Sequence, residues 1–92
     1  MEDPIFSERG RADYRKIPNT IISEFDKVLR DLVEHPTKGV WINSPRAKDA
    51  LSHRFSIDDP THGEIKFQIL YKRHSNEMTI VIIRIRFPNP KD

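Results

Sequence analysis

The sequence predicts an α+β domain in which one or two N-terminal helices pack on one face of a small antiparallel sheet. Apolar residues recur at helical spacing in segment 19–34, whereas they alternate with polar residues in segments 51–58 and 64–72. A period of about 3.6 residues indicates an amphipathic helix, and strict alternation indicates a strand with one buried face. Because the helical segment precedes the strands, we expect the helices to lie together on one face of the sheet.

The main helix is predicted over residues 19–34. Its apolar stripe consists of Ile21, Phe25, Val28 and Leu32, widened by Ile22, Leu29 and Val33. Asn19 or Thr20 is expected to cap the first turn, because short polar side chains accept hydrogen bonds from the free amides there. His35-Pro36 is expected to end the helix, since the residue before a proline avoids the helical region. A shorter amphipathic segment is predicted over residues 8–17.

The last strand, residues 78–87, is apolar on both faces for much of its length, which is typical of a central strand. Because residues two apart on a strand lie on one side, Met78 and Ile80 are predicted to share a face with Arg84 and Arg86. Short strands are also expected at Ile5-Phe6 and at Val40-Trp41-Ile42.

The composition limits the possible functions. A chain of 92 residues fits one domain, and residues 1–11 and 88–92 are predicted to be flexible ends. The absence of cysteine excludes disulfides, thiolate catalysis and cysteine-ligated zinc. The four histidines show no metal-binding spacing, so no metal or cofactor is predicted. No apolar run approaches the roughly 20 residues of a membrane-spanning helix, which predicts a cytoplasmic protein without a membrane partner.

Arg84 and Arg86 are the strongest functional candidates. A guanidinium group matches phosphate bidentately and keeps its charge, so two of them on one strand face indicate a polyanion site. The alternative is a solvated strand face, or ion pairs of the two arginines with Glu64 and Glu77. Arg54, on a neighbouring strand, is expected to line the same groove.

Further basic residues are candidates for contact with a nucleic-acid backbone, an attraction that depends on charge and not on base sequence. They are Arg46, Lys48, Lys66, Lys72 and Arg73. The alternative for Arg46 and Lys48 is an ordinary solvated loop.

Proton transfer would fall to His53, His74 or Tyr71, since histidine is the side chain that normally titrates near neutral pH. Each has a structural alternative. His53 shares its predicted face with apolar neighbours, His74 lies in a predicted turn, and Tyr71 alternates with core positions. His62, in the predicted loop 58–63, is a further candidate because loop positions can reach a ligand.

Two stretches of the sequence resemble toxins of the RelE/ParE superfamily. The first is Tyr14-Arg15-Lys16-Ile17-Pro18 followed by the helix 19–34 and His35-Pro36. The second is Phe67-Gln68-Ile69-Leu70-Tyr71, which leads into the apolar strand 79–86. The resemblance implies a RelE/ParE-like fold and a microbial toxin of a toxin–antitoxin pair.

Such toxins cleave mRNA on the ribosome without a metal ion, and some poison DNA gyrase instead. The resemblance implies RNA and an acidic antitoxin as partners, with Arg54, Arg84 and Arg86 stabilising the charge of the transition state. Gln68 stands where these toxins often have an arginine, and no tyrosine or histidine follows Phe87.

These differences favour a second hypothesis, a non-enzymatic phage or bacterial accessory or inhibitor protein that binds nucleic acid or an acidic protein surface. A third is a protein-interaction domain that accepts an added strand at the edge of its hairpin.

Overall fold

Two helices pack against a five-stranded sheet. The computed structural model describes residues 3–44 and 47–88, without the side chains of residues 43, 44, 47 and 48. The elements in chain order are β1 (Ile5–Phe6), α1 (Glu8–Tyr14), α2 (Ile22–Glu34), a short 3-10 helix (Pro36–Lys38), β2 (Val40–Ser44), β3 (Ala47–Asp59), β4 (Gly63–His74) and β5 (Glu77–Arg86). The predicted α+β class is confirmed.

The strand order is β1-β5-β4-β3-β2. The pairs β2–β3, β3–β4 and β4–β5 are antiparallel, whereas β1 pairs with β5 in parallel, with Ile5 opposite Thr79. The prediction of a purely antiparallel sheet is therefore wrong. β1 precedes both helices in the chain, and its partner β5 follows them. The connection between these two strands passes through the helices, and a crossover of this kind permits parallel pairing. β1 and the start of α1 lie in the segment that was expected to be a flexible end.

The core lies between α2 and one face of β3, β4 and β5. Phe25 is fully buried, and its ring centroid lies 5.3 Å from that of Phe67 on β4. Leu29 and Leu32 extend the buried stripe, as the periodicity predicts. The predicted cap is wrong: α2 begins at Ile22 without a side-chain cap, because the Thr20 hydroxyl donates to a carboxylate on β3.

A β-bulge divides β5 into two parts. The consecutive β4 residues Leu70 and Tyr71 pair with β5 residues two apart, so β5 contains one extra residue, Val81. Each β5 residue before the bulge therefore points to the face opposite to the one that uninterrupted alternation predicts. Met78 and Ile80 are therefore buried against the helices, and their predicted place on the arginine face is wrong because sequence alternation does not show a bulge.

The outer edge of β5 is covered by β1 and α1. After β1 ends, the Ser7 hydroxyl donates to the Val81 carbonyl at 2.7 Å. The buried carboxylate of Asp13 accepts the Ile83 amide at 3.1 Å. These side chains replace the hydrogen bonds that a further strand would make, so the edge is satisfied without one.

No helix among the described residues is long and apolar enough to cross a membrane.

The contact of Gly10 with β5 predicts the effect of a substitution. A Cβ atom at Gly10 would lie 2.4 Å from the Ile80 carbonyl oxygen, which is backbone. Gly10→Ala is therefore expected to lower the free energy of unfolding by about 1–3 kcal/mol, the typical cost of overpacking. In an unconstrained helix the same change would stabilise by roughly 0.5–1 kcal/mol, so the sign distinguishes the two cases.

Urea unfolding followed by circular dichroism measures this change. Arg11→Ala, at an exposed position of the same helix, is the control and should stay within about 0.5 kcal/mol of wild type. A Gly10→Ala protein that is as stable as the wild type would contradict the close contact.

Candidate functional site

The sheet face opposite the helices carries two rows of polar side chains that run across β3, β4 and β5. The strand pairing aligns Arg54, Gln68 and Arg84 in one row, which we call the Gln68 row. It aligns Ser56, Lys66 and Arg86 in the next, the Lys66 row. Adjacent strands lie about 4.8 Å apart and residues two apart on a strand lie about 6.8 Å apart, so the six side chains occupy one compact area.

A concavity of about 550 Å³ lies over this area and is lined by residues 54–56, 66–68 and 84–86. We call its four cationic side chains the basic face. They are Arg54, Lys66, Arg84 and Arg86. All four are exposed, so their charges are available to a ligand.

Within the part of the chain that the structure describes, no ion pair joins the basic face to a carboxylate. Glu64 is the nearest acid along β4 on this face, and its carboxylate accepts the Ser56 hydroxyl at 3.2 Å. Glu77 lies at the far end of the β4–β5 hairpin, opposite His74. The alternative pairing of the arginines with these two glutamates is therefore not observed among the described residues.

Gln68 is fixed at the centre of its row. Its amide nitrogen donates to the Ser52 hydroxyl at 2.8 Å, and Ser52 is buried. This bond holds the side chain between Arg54 and Arg84, while the amide oxygen supplies the row with an acceptor. The row can therefore contact both an anion and a hydrogen-bond donor of a ligand.

The basic face ends at a small apolar cluster on the same side of the sheet. Ala50, Leu70 and Ile82 are buried there, with Ile42 and Val81 packed against them. The open face thus has an apolar half near the β4–β5 turn and a basic half near the β3–β4 turn.

The structure does not place Tyr71 with the basic face. The residue is fully buried among the helix-side core residues. Its hydroxyl donates to the Pro36 carbonyl at 2.6 Å and accepts the Gly39 amide at 3.0 Å. Burial raises the pKa of this phenol. The core position that was the structural alternative for Tyr71 is therefore observed, and its hydroxyl ties the 3-10 segment to β4.

His53 is also on the other face. It precedes Arg54 on β3, and consecutive strand residues point to opposite sides. The ring is half-buried and stacks on Phe55 with centroids 5.5 Å apart. Burial, reinforced by the charge of Lys38, lowers its pKa. The structural alternative for His53, a partly buried histidine among apolar neighbours, is therefore observed.

His74 and two predicted cations lie at the far end of the hairpin. His74 is eight positions from Lys66 on β4, which corresponds to about 26 Å. Lys72 shares the open face but lies beyond the apolar cluster, and Arg73 lies on the opposite face, beside Met78. These three residues do not belong to the cavity. Arg46 and the side chain of Lys48 lie outside the described residues.

An Asp–His pair at the β3–β4 turn was not among the principal sequence candidates. The Asp59 carboxylate is buried, and its Oδ2 lies 2.5 Å from Nδ1 of His62. Its Oδ1 accepts the Thr20 hydroxyl at 2.9 Å and the Thr61 amide at 3.2 Å. The hydrogen bond from His62 lowers the pKa of Asp59 against the opposing effect of burial. The three-residue spacing in a turn was the available signal; His62 was predicted as a loop candidate, whereas Asp59 was interpreted as a turn former.

The described residues contain no group of three or more histidine and acidic side chains that could hold a metal ion. Asp59 and His62 instead link the β3–β4 turn to the segment before α2.

Comparisons of the chain with protein-family models, curated proteins and solved structures gave no match. The geometry and charge of the basic face are therefore the basis for assigning a function.

The lowered pKa of Asp59 predicts how stability depends on pH. A carboxylate whose pKa is lower in the folded state stabilises the fold above its unfolded pKa of about 3.9, and this contribution is lost as the pH falls through the folded pKa. Asp59→Asn is therefore expected to be less stable than wild type at pH 7 and to lose less stability between pH 7 and acid pH.

Urea unfolding at a series of pH values tests this expectation. Asp58→Asn is the matched control, because Asp58 is the exposed neighbouring carboxylate on β3. If the Asp59→Asn and wild-type stability curves run parallel below the unfolded pKa, the assigned role of Asp59 is wrong.

Proposed function

We propose that this protein binds RNA through the basic face. The observation that carries the proposal is the clustering of four exposed cations around one concavity, without an ion-paired carboxylate among the described residues. Like charges so close together repel one another, and a polyanion that binds there relieves this repulsion. When lysine and arginine side chains neutralise the phosphate groups of a nucleic acid, the counterions condensed on those phosphates are released, which favours binding.

Phosphate suits this cavity better than an acidic protein surface does. Three of the four cations are arginines, whose planar fork donates two parallel hydrogen bonds to a phosphate. Ser56 and Gln68 lie between the cations of their rows and supply neutral polar groups. Together these groups suit a ligand with repeated phosphates and adjacent hydroxyls, and RNA provides both.

Binding without chemistry is the activity that the cavity supports best. Among the residues that the structure describes, those that line it include no histidine, tyrosine or carboxylate. A metal-free nuclease requires groups that exchange protons near neutral pH, and arginine does not do so. The candidates for that role, Tyr71 and His53, belong to the opposite face. This observation favours the non-enzymatic nucleic-acid-binding module.

The second candidate is a RelE/ParE-like toxin that cleaves mRNA on the ribosome. The order of α1 and α2 before the antiparallel strands, and the three arginines around one cavity, favour it. Cations in that arrangement would stabilise a pentavalent phosphorane. Lys66 would then add a fourth cation to the three arginines. An acidic antitoxin would cover the same face in the cytoplasm.

The binding proposal predicts the effect of removing two arginines. Arg84→Ala/Arg86→Ala is expected to weaken RNA binding about ten- to hundredfold, because each charge-assisted bond contributes more than a neutral one. The slope of log affinity against log salt should also become shallower by about 1.4, which corresponds to two lost phosphate contacts on a single strand. Fluorescence anisotropy with labelled RNA measures both quantities.

Lys72→Ala/Arg73→Ala is the control for this experiment. It removes the same charge from the same hairpin, but outside the cavity. Equal losses in the two double variants would mean that net charge, and not the basic face, determines binding.

The toxin candidate makes a different prediction, which inducible expression and mapping of RNA ends will test. A toxin would arrest growth and create new RNA ends, and both effects should disappear in Arg84→Ala/Arg86→Ala and in Lys66→Ala. Intact RNA and normal growth with the wild-type chain would rule out the toxin candidate and leave the binding proposal unaffected.

A further inference from the structure

We infer that Gln68 selects RNA over DNA by accepting a hydrogen bond from the 2′-hydroxyl of a ribose bound at the basic face. This inference rests on the proposed function, because it takes the basic face to bind a nucleic-acid backbone. It adds the chemical group that distinguishes RNA at this site and the residue that recognises it.

Gln68 is the neutral centre of its row. The pairing of β3, β4 and β5 places Arg54 on one side of it and Arg84 on the other, at the spacing of about 4.8 Å between adjacent strands. Both arginines are exposed, whereas Gln68 is half-buried. A phosphate held by the two guanidinium groups would therefore lie over the Gln68 amide.

Two interactions determine the orientation of this amide. Its nitrogen donates to the hydroxyl of the buried Ser52 at 2.8 Å. The positive charges of Arg54 and Arg84 favour the same orientation, because they attract the oxygen, which is the negative end of the amide dipole. With the nitrogen engaged, the oxygen is the atom that Gln68 can offer to a ligand.

The Gln68 amide oxygen is accessible to a ligand. Among the described residues, neither the flanking guanidinium groups nor any other group donates a hydrogen bond to this oxygen, and the amide bonds only through its nitrogen. In the half-buried side chains that the structure describes, every buried nitrogen and oxygen has a hydrogen-bond partner. The Gln68 oxygen has none, so it is not buried, and a ligand can bond to it without displacing a protein contact.

An acceptor between two cations is informative because phosphate cannot satisfy it. The phosphate and sugar oxygens within a DNA strand only accept hydrogen bonds, so a DNA backbone can bond to the arginines but not to the Gln68 oxygen. The 2′-hydroxyl is the donor that ribose adds, and it lies next to the 3′-phosphate of the same nucleotide. The order cation, acceptor, cation thus matches a phosphate and its adjacent ribose hydroxyl.

Ser52 has a positioning role in this contact. Because its hydroxyl already holds the Gln68 side chain, the side chain loses little rotamer freedom when a ligand binds. The selectivity for RNA should therefore depend on Ser52 as well as on Gln68.

Fluorescence anisotropy with the full chain tests the inference. The labelled probes are oligouridines of about ten nucleotides, a length within the usual range of such sites. They carry a hydroxyl, a hydrogen or a fluorine at every 2′ position and share base sequence and charge, and the fluorine probe keeps an RNA-like sugar pucker without a donor. Wild type is expected to bind the hydroxyl probe about three- to tenfold more tightly than the other two, the usual contribution of a neutral hydrogen bond.

Three variants separate the acceptor from the charge. Gln68→Met keeps the length of the side chain without the amide, and it should bind all three probes about as wild type binds the DNA probe. Gln68→Arg adds a cation, so it should bind all three more tightly, with a salt slope steeper by about 0.7, but without a preference among them. Ser52→Ala frees the amide and should reduce the preference for the hydroxyl probe.

Thr79→Val is the matched control, because it removes a neutral polar group from the open face outside the cavity. Thr79 pairs with Lys72 beyond the apolar cluster and does not line the cavity, so both affinity and preference should be unchanged. Circular dichroism verifies that each variant folds. The comparison of the three probes with wild type needs no variant, so it tests the inference even if a substitution unfolds the chain.

Equal affinity of the wild type for the three probes would overturn the inference, and so would a Gln68→Met protein that keeps the full preference for the hydroxyl probe. Either result leaves the proposed function intact, provided that Arg84→Ala/Arg86→Ala still weakens RNA binding. If the wild type does not bind the hydroxyl probe, the proposed function fails together with the inference.

Discussion

The paired register of β4 and β5, with its bulge at Val81, is the constraint on which both faces of the molecule depend. Before the bulge, Met78 and Ile80 point to the helices and complete the core. After it, Arg84 and Arg86 point away from the helices. Without the extra residue, uninterrupted alternation would turn two large apolar side chains to the open face. The bulge therefore lets one strand both complete the core and carry charge.

The parts of the fold with a strong local signal were predictable. The stripe of Phe25 and Leu32 determines the buried face of α2, and alternation identifies β3 and β4 because one face of each is covered. The parallel pairing of β1 was not predictable, since two residues carry no periodicity. The start of α2 was also missed, because the hydroxyl of Thr20 bonds to Asp59, a residue far away in the sequence.

The site was predictable to the extent that it depends on alternation. Arg54, Lys66, Arg84 and Arg86 meet because each lies on the same side of its strand and the hairpins align them. The same alternation separates His53 and Tyr71 from these cations, because both side chains lie on the helix side of their strands. His74 lies far from these cations, at the other end of β4. The sequence did not show this separation because it depends on which residues of the neighbouring strands are paired. His62 gains its partner only when the β3–β4 turn folds, so composition and spacing did not distinguish it from an ordinary turn residue.

The covered edge of β5 has a consequence for self-association. Strands at the margin of a sheet can recruit further strands from other chains, and a sheet that is open at both margins can grow without limit. Here the two residues of β1 form one margin, and beyond them Ser7 and Asp13 already bond to the outer groups of β5; β2 is the other marginal strand. A partner strand would therefore find a five-residue template at β2 but only two residues at β1. A short helix with one buried carboxylate thus shortens one of the two margins at which a further strand could add.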